Sequence, residues 1–459
     1  MKFREIVDSP CGIRYCFDSL ELQSGFARKS LLESPMSISK DEIEQKYASL
    51  KVFVDLVENN KSLVQNVQFK LQGLRDILGT LQSLEDGNLL DDIELFEIKH
   101  LALLGDDIKR MFVAARVNED GSACLNIEWV KYDLDRVIQI LDPEGLRIGT
   151  FYVYDAYSME LRKLRKEYEV DGDNDELREK IENEEDRIKT VLCNLLRPYS
   201  DNLTELLHSL AQLDIIIAKA FQMKKGEFII PGVSEKTILK GMFHPQIQSI
   251  LAETGKEFQK VDFSYEIGIP STIIGANMGG KTVVLKTLTL CQYLFQFGFA
   301  IPASEGEMMV FDEIYFCIGD EQSQNKGLSS FAAEMLRINN VLERVEHGGK
   351  VLSLIDEPAR TTNPIEGRAL VCSLLKMIYG KSNLSLVLTT HYNVDNGGRC
   401  WRVKGLVEGA KGISGLKMDY SLLQTENNEV PHEAINIATE LGISELWLEE
   451  AKKYLDKTK

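Results

Sequence analysis

The chain has 459 residues, 44% hydrophobic and 27% charged, enough apolar content for several globular cores and too much for a disordered polymer. Its eight cysteines show no Cys-x-x-Cys pair or zinc spacing, and no apolar run reaches the roughly 18 residues of a membrane span. Arg4, Glu5 and Asp8 stand where a signal peptide would be apolar, so the expected location is the cytoplasm, with no membrane partner. A net charge of −18 excludes nucleic-acid binding through bulk charge and leaves that role to a local basic groove.

Only ten of the 33 glycines and four of the 11 prolines precede residue 221, which predicts a mostly helical first half. Ile43, Tyr47, Leu50, Val54 and Val57 share a helical face, with Ser39 and Glu42 spaced as a capping box in front of them. A second stripe runs through Val67, Leu71, Leu74, Leu78 and Leu81. Over 151–197, Leu161, Leu164 and Tyr168 lead to an acidic turn, Asp171-Gly172-Asp173-Asn174-Asp175-Glu176. Leu177, Ile181, Ile188, Leu192 and Leu195 follow it. This pattern predicts an antiparallel helical hairpin whose arms reach about 30 Å each at helical rise. Leu203, Leu206, Leu210, Leu213 and Ile217 form the returning helix.

After residue 240, short apolar runs at Ser271–Ile274, Met308–Phe316, Val351–Ile355 and Leu384–Leu388 alternate with helical stretches. Such alternation predicts a largely parallel sheet with crossover helices. The tail from Glu433 to Leu455 is again helical by pattern, with Ile435, Ala438, Leu441 and Leu446 as its apolar face.

The sharpest chemical signal is Gly275-Ala276-Asn277-Met278-Gly279-Gly280-Lys281-Thr282, which fits G-x-x-x-x-G-K-[ST] between a predicted strand and a predicted helix. Glycines let backbone N–H groups converge on phosphate oxygens, and the helix N-terminus adds partial positive charge. Lys281 is expected to reach the β- and γ-phosphates of ATP, and the Thr282 hydroxyl to hold Mg²⁺. Val351–Ile355 ends in Asp356 and Glu357. This is either an acidic loop after a buried strand or a Walker B pair, in which Asp356 holds Mg²⁺ through water and Glu357 orients the attacking water. His391 closes another predicted strand and is a candidate γ-phosphate sensor. Between these elements, small hydroxyl residues around Ser329 and Ser330 are placed to cap a helix, a second anion-favouring N-terminus.

Together these residues resemble the MutS family. The Asn-Met-Gly-Gly-Lys form of Walker A is the most specific part of the likeness. It continues through Ile301-Pro302-Ala303, Gly327-x-Ser329-Ser330-Phe331-x-x-Glu334-Met335, Asp356-Glu357 with Arg360-Thr361-Thr362, and Thr390-His391-Tyr392. Phe243-His244-Pro245 is similar to the start of that family's ATPase domain, and His432–Ala438 with Leu441-Gly442 to its dimerisation helices. Ser34-Pro35-Met36, leading into Glu42–Tyr47, gives weaker support.

The resemblance implies a multidomain α and α/β protein. Its expected parts are a helical core at 1–150, a lever hairpin at 151–200, a helical connector at 201–239, an ABC-type ATPase domain at 240–425 and a dimerisation element at 426–459. It implies an ATPase using ATP and Mg²⁺, with phosphate contacts from Gly275 to Thr282, metal ligation by Thr282 and Asp356, and catalytic roles for Glu357, His391 and Lys281. Ser329 would complete the site of a partner subunit, so the active form is a homodimer or a heterodimer with a related chain. Phe258 and Phe263 are the candidates for stacking on adenine.

Departures from the family pattern are Pro358 and Ala359 in place of an apolar residue and Gly, and Leu328 in place of Arg. The core helices begin within about 30 residues of Met1, so the expectation is a short form without the mismatch-reading and connector domains. DNA is the partner that the family implies. The acidic hairpin tip disfavours it, because carboxylates repel phosphates within a Debye length of about 8 Å. The run Arg162-Lys163-Leu164-Arg165-Lys166 is either a DNA-contacting flank or, preferably, a solvated face paired with nearby acids. The alternative client is a protein, as for the MutS-like reactivating factors of cobalamin-dependent aminomutases such as lysine 5,6-aminomutase.

Overall fold

The computed structural model describes residues 1–115, 129–171, 174–275, 280–318, 330–394, 398–406, 418–425, 435, 438–439 and 442–458. The chain divides into two compact units. One comprises Leu20–Ser34 and Ala48–Gln222, the other Met1–Ser19, Pro35–Tyr47 and Met223–Lys459.

The first unit is helical. The Ile43–Val57 stripe lies on helix Lys40–Asn59, which begins in the other unit; Ile43, Tyr47, Leu50 and Val57 are buried. Phe53 takes the fully buried place that periodicity gave to Val54. Glu42 accepts from Ser37 Oγ at 2.8 Å and pairs with Lys46 at 2.9 Å, contacts that the capping-box reading did not foresee. The second stripe is two helices, Lys61–Leu71 and Leu78–Glu85, separated by a turn. Asp214, on helix Ser200–Lys225, accepts from the Gln23 and Ser24 backbone N–H groups and from Ser24 Oγ at 2.9–3.1 Å, which fixes the start of helix Gly25–Glu33.

Within the same unit, helices Met159–Asp171 and Asp175–Leu196 pair antiparallel. Leu161, Leu164, Leu177, Ile188 and Leu192 are buried, while Leu195 is exposed. Ser158 Oγ donates to Glu184 at 2.6 Å, and Arg165 bridges Asp155 and Glu185 at 2.7 Å each. The first arm has 13 residues, so its length is about 20 Å rather than the expected 30 Å. Asn174 caps the second arm through Glu176 N and Leu177 N; Gly172 and Asp173 lie outside the described residues. Within the basic run Leu164 is buried, Arg165 is ion-paired, and Lys163 stands 3.9 Å from Glu167.

The second unit carries all the described strands. These are β1 (Phe228–Ile229), β2 (Gly232–Val233), β3 (Thr237–Met242), β4 (Val261–Tyr265), β5 (Ser271–Ile274), β6 (Ile301–Pro302), β7 (Glu305–Met308), β8 (Glu313–Cys317), β9 (Val351–Ile355), β10 (Leu384–Thr390), β11 (Arg399–Leu406) and β12 (Met418–Thr425). A six-stranded sheet runs β12-β11-β5-β10-β9-β8, parallel except for the β11–β12 pair. β5, β9 and β10 are buried along their whole length, as strands covered on both faces must be. A four-stranded sheet, β2-β7-β3-β4, and the β1–β6 pair complete the strands.

The expected run Met308–Phe316 is two strands in two different sheets. Fully buried Gln296 supplies the physical reason: its amide accepts from Phe311 N at 3.2 Å and donates to Phe311 O at 2.7 Å, replacing a strand partner at the break. Residues 1–19 pack in this unit, with Phe3 against Phe17, Phe297 and Phe299. At the tail, helix Glu445–Thr458 exposes Leu446 and buries Leu448, correcting the expected apolar face; Leu441 lies outside the described residues. No described helix is long and apolar enough to cross a membrane.

His244 caps helix Pro245–Glu253 from a buried position, and its Nε2 stands 3.0 Å from Cys11 O. A carbonyl only accepts, so Nε2 carries the proton and buried Nδ1 is left without a partner. Burial holds the imidazole pKa down at about 4, well below the ordinary 6.5. The unfolded chain therefore takes up this proton first as pH falls, and the stability present above about 6.5 is lost toward 4. We expect a loss of roughly 3 kcal/mol across that window, measured by urea unfolding, and a shallower pH slope in His244→Asn.

Candidate functional site

The site forms where β5, β9 and β10 end. Thr390 pairs with Ile274 and Leu388 with Ile355, so the residues that follow each strand emerge at the same edge of the sheet, with β9 ending two residues before the other two. Ligands of open parallel sheets bind at this carboxyl edge. Gly275 follows β5, Asp356 and Glu357 follow β9, and His391 follows β10.

Helix Lys281–Gln296 begins directly after the glycine-rich loop. Gly280 caps it at φ 75, a left-handed conformation that costs a side-chain-bearing residue about 1–2 kcal/mol. Lys281 is buried; its Nζ donates to Gly275 O at 2.8 Å and stands 3.4 Å from Glu357 Oε1. Thr282 Oγ1 donates to Asp356 Oδ2 at 2.8 Å. The two sequence motifs therefore meet through direct contacts. Ala276, Asn277, Met278, Gly279 and Ser329 lie outside the described residues, as do Gly327 and Leu328.

Sequence reasoning passed over Thr389, which organises the acidic pair. Its buried hydroxyl donates to Asp356 Oδ1 at 2.6 Å and accepts from Glu357 N at 2.9 Å. The available signal was a hydroxyl in an otherwise apolar strand, opposite a carboxylate. Arg360 Nη1 lies 3.4 Å from Glu357 Oε2, so two cations flank that carboxylate. Tyr420 is also new: its ring lies against Gly280, where an added Cβ would stand 3.1 Å from Cδ1.

The backbone after β9 is unusual. Glu357 has φ 44 and Ala359 φ 60, both in the left-handed region. Position 359 is where the resemblance expects glycine, and the left-handed backbone is the physical reason a glycine suits it. Tyr392 OH donates to Ala359 O at 2.9 Å, and Ala359 N donates to Glu334. Gly367 leaves room for the tyrosine: a Cβ there would stand 2.4 Å from its hydroxyl.

Burial lowers the His391 pKa, with Glu357 opposing and Lys281 and Arg360 reinforcing the shift, so the ring is neutral at neutral pH. Helix Ser330–Glu346 starts where a cap was expected. Phe263 is buried against Trp401, at 4.9 Å between ring centroids, and is thereby removed as an adenine-stacking candidate; Phe258 is half-buried.

Mg²⁺ takes oxygen ligands and usually keeps several waters, needing only one or two protein groups beside substrate phosphates. The Thr282 hydroxyl and Asp356 carboxylate fit that demand. Among the described residues no cluster of three or more His, Cys, Asp or Glu could hold a metal by itself.

Residues 271–397 match the MutS domain V family model. Among curated proteins, the chain is 35% identical over 232 residues to Endonuclease MutS2 of Geobacillus sp. (strain WCH70), covering 49% of this chain and 28% of that one. It is 27% identical over 442 residues to Endonuclease MutS2 of Streptococcus mutans serotype c, covering 89% and 53%. Similarity to Putative endonuclease MutS2 of Bacillus subtilis (strain 168) is 36% over 221 residues, covering 46% and 26%. The chain thus spans between about a quarter and a half of the length of these relatives.

Proposed function

We propose that this chain, which belongs to the MutS family, binds and hydrolyses ATP between two subunits and turns the nucleotide cycle into movement of its helical hairpin. The observation that carries this reading is the joining of the two motifs, Thr282 Oγ1 to Asp356 at 2.8 Å and Lys281 Nζ to Glu357 at 3.4 Å. Chance resemblance in either motif would not bring those four groups together.

In this reading Lys281 exchanges its contact with Gly275 O for the β- and γ-phosphate oxygens. Mg²⁺, when bound by Thr282 and Asp356, neutralises phosphate charge. Thr389 holds the Asp356 carboxylate and, through the Glu357 N–H, the catalytic turn. Glu357 orients and deprotonates the attacking water, while His391, neutral, donates an N–H to the γ-phosphate. Asn277 and its neighbours in the loop contribute backbone N–H groups, and Ser329 acts on the partner subunit's nucleotide. The element expected at 426–459, of which helix Glu445–Thr458 is described, holds the dimer.

Lys281→Ala removes a charge-assisted contact and is expected to weaken nucleotide binding about 10–100-fold, measured by titration with a fluorescent ATP analogue. Unchanged affinity would remove Lys281 from the site.

DNA is the client we favour, on the likeness to proteins named Endonuclease MutS2. Mobility-shift assays on duplex and branched DNA with ATP, ADP or neither test it, and affinity should fall steeply with added salt. A protein client is the second reading, favoured by exposed Asp175 and Glu176 at the hairpin tip and by the paired state of Arg165. Absence of DNA binding in every nucleotide state would select it.

A further inference from the structure

Two strained positions separated by one residue need an explanation that the nucleotide contacts do not supply. Glu357 and Ala359 both hold left-handed backbone without being glycine. Such conformations cost of order 1–3 kcal/mol each and persist only where surrounding groups over-determine them. Glu357 is fixed by its N–H bond to Thr389. Ala359 is fixed from both sides: Tyr392 OH donates to its carbonyl at 2.9 Å, and its own N–H points at the Glu334 carboxylate, 3.3 Å from each oxygen.

Glu334 stands in the second turn of helix Ser330–Glu346. It is half-buried, and burial raises its carboxyl pKa. One helical turn further on, Arg337 Nη1 reaches Cys317 Sγ at 3.8 Å, and Cys317 O accepts the Asp356 N–H at 2.8 Å. The same helix face therefore holds Ala359 directly, through Glu334, and reaches Asp356 only by way of Cys317.

We propose that Glu334 is a positioning residue: through the Ala359 N–H it holds the 357–359 turn so that the Glu357 carboxylate faces Lys281 and the attacking water. The inference rests on the ATPase reading above. Glu334 touches no phosphate in this scheme and acts only through the turn. An acceptor oxygen is what the turn requires, so Gln preserves the function and Ala removes it. Because the acceptor rides on helix Ser330–Glu346, any shift of that helix is transmitted to Glu357.

The experiment compares full-length wild type, Glu334→Gln and Glu334→Ala in steady-state ATPase kinetics, ATP-analogue binding and thermal melting. Misplacing a reacting group by about 1 Å costs up to about 100-fold in rate, so Glu334→Ala should lower kcat by roughly 10–100-fold. Its KM and analogue affinity should stay within about threefold of wild type, and Glu334→Gln should recover most of kcat. Hydrogen exchange at the Ala359 amide should quicken in the Ala variant and not in the Gln variant, with both melting close to wild type. Wild-type turnover that persists in Glu334→Ala, or an equal loss in Gln and Ala, overturns the positioning role alone. A wild-type chain that binds but never hydrolyses ATP overturns the ATPase reading and this inference with it.

Discussion

Glu357→Gln should bind Mg·ATP as wild type does and turn it over about 10²–10⁴-fold more slowly, the range that a positioned general base contributes. The substitution keeps the side chain's shape and removes only its charge and basicity. Lys281, nearly inaccessible to solvent, pairs with Glu357 at 3.4 Å, and Arg360 does so from the other side. Neutralising the carboxylate leaves both cations less compensated, which raises the positive potential facing the phosphates. ATP affinity should therefore hold or rise while the rate collapses. Single-turnover hydrolysis alongside equilibrium binding separates the two effects. A parallel loss of binding and rate would mean that Glu357 supports the site's structure and not its chemistry.

Asp142→Ala should destabilise the helical unit by about 3–5 kcal/mol, the usual cost of leaving a buried charge without its counterion. Lys99 and Asp142 are both fully buried, with Lys99 Nζ 3.3 Å from Oδ1. Nζ also donates to Tyr154 OH at 2.8 Å and to Thr150 O at 3.2 Å, while Asp142 Oδ2 accepts from Arg147 N at 2.7 Å. Removing the carboxylate strands the ammonium and frees the loop between 142 and 157 that leads into the hairpin. The double variant Lys99→Met/Asp142→Ala should regain much of the loss, since it removes the stranded charge as well. Urea unfolding of the three proteins measures the loss and its recovery, and equal stability of wild type and Asp142→Ala would show that the pair is dispensable.

The site was more legible in the sequence than the scaffold around it. A glycine-rich loop between an apolar run and a helix has one common chemical use, and an apolar strand ending in two carboxylates narrows it further. Both patterns are local, so periodicity and spacing could find them. Thr389, Glu334 and Tyr392 were not legible as working parts, because what they do depends on which strand lies beside which and on a backbone turn that no spacing announces. The short strands β1–β4 escaped for a related reason: two- to six-residue strands leave too few residues to show alternation. The break between Met308 and Glu313 depends on Gln296, a buried amide on a helix that sequence order places before the strand it interrupts. The helical half followed its apolar periodicity closely, and its polar anchors, Asp214 and Lys99, did not, since their partners are remote in the chain.

Sedimentation velocity of full-length Glu357→Gln, in Mg²⁺ with ATP and separately with ADP, tests most directly whether two chains close on one nucleotide. The account predicts a dimer with ATP that loosens or dissociates with ADP, abolished when Lys281→Ala is added. A single species of monomer mass in both nucleotides, at concentrations where ATP is bound, would contradict it.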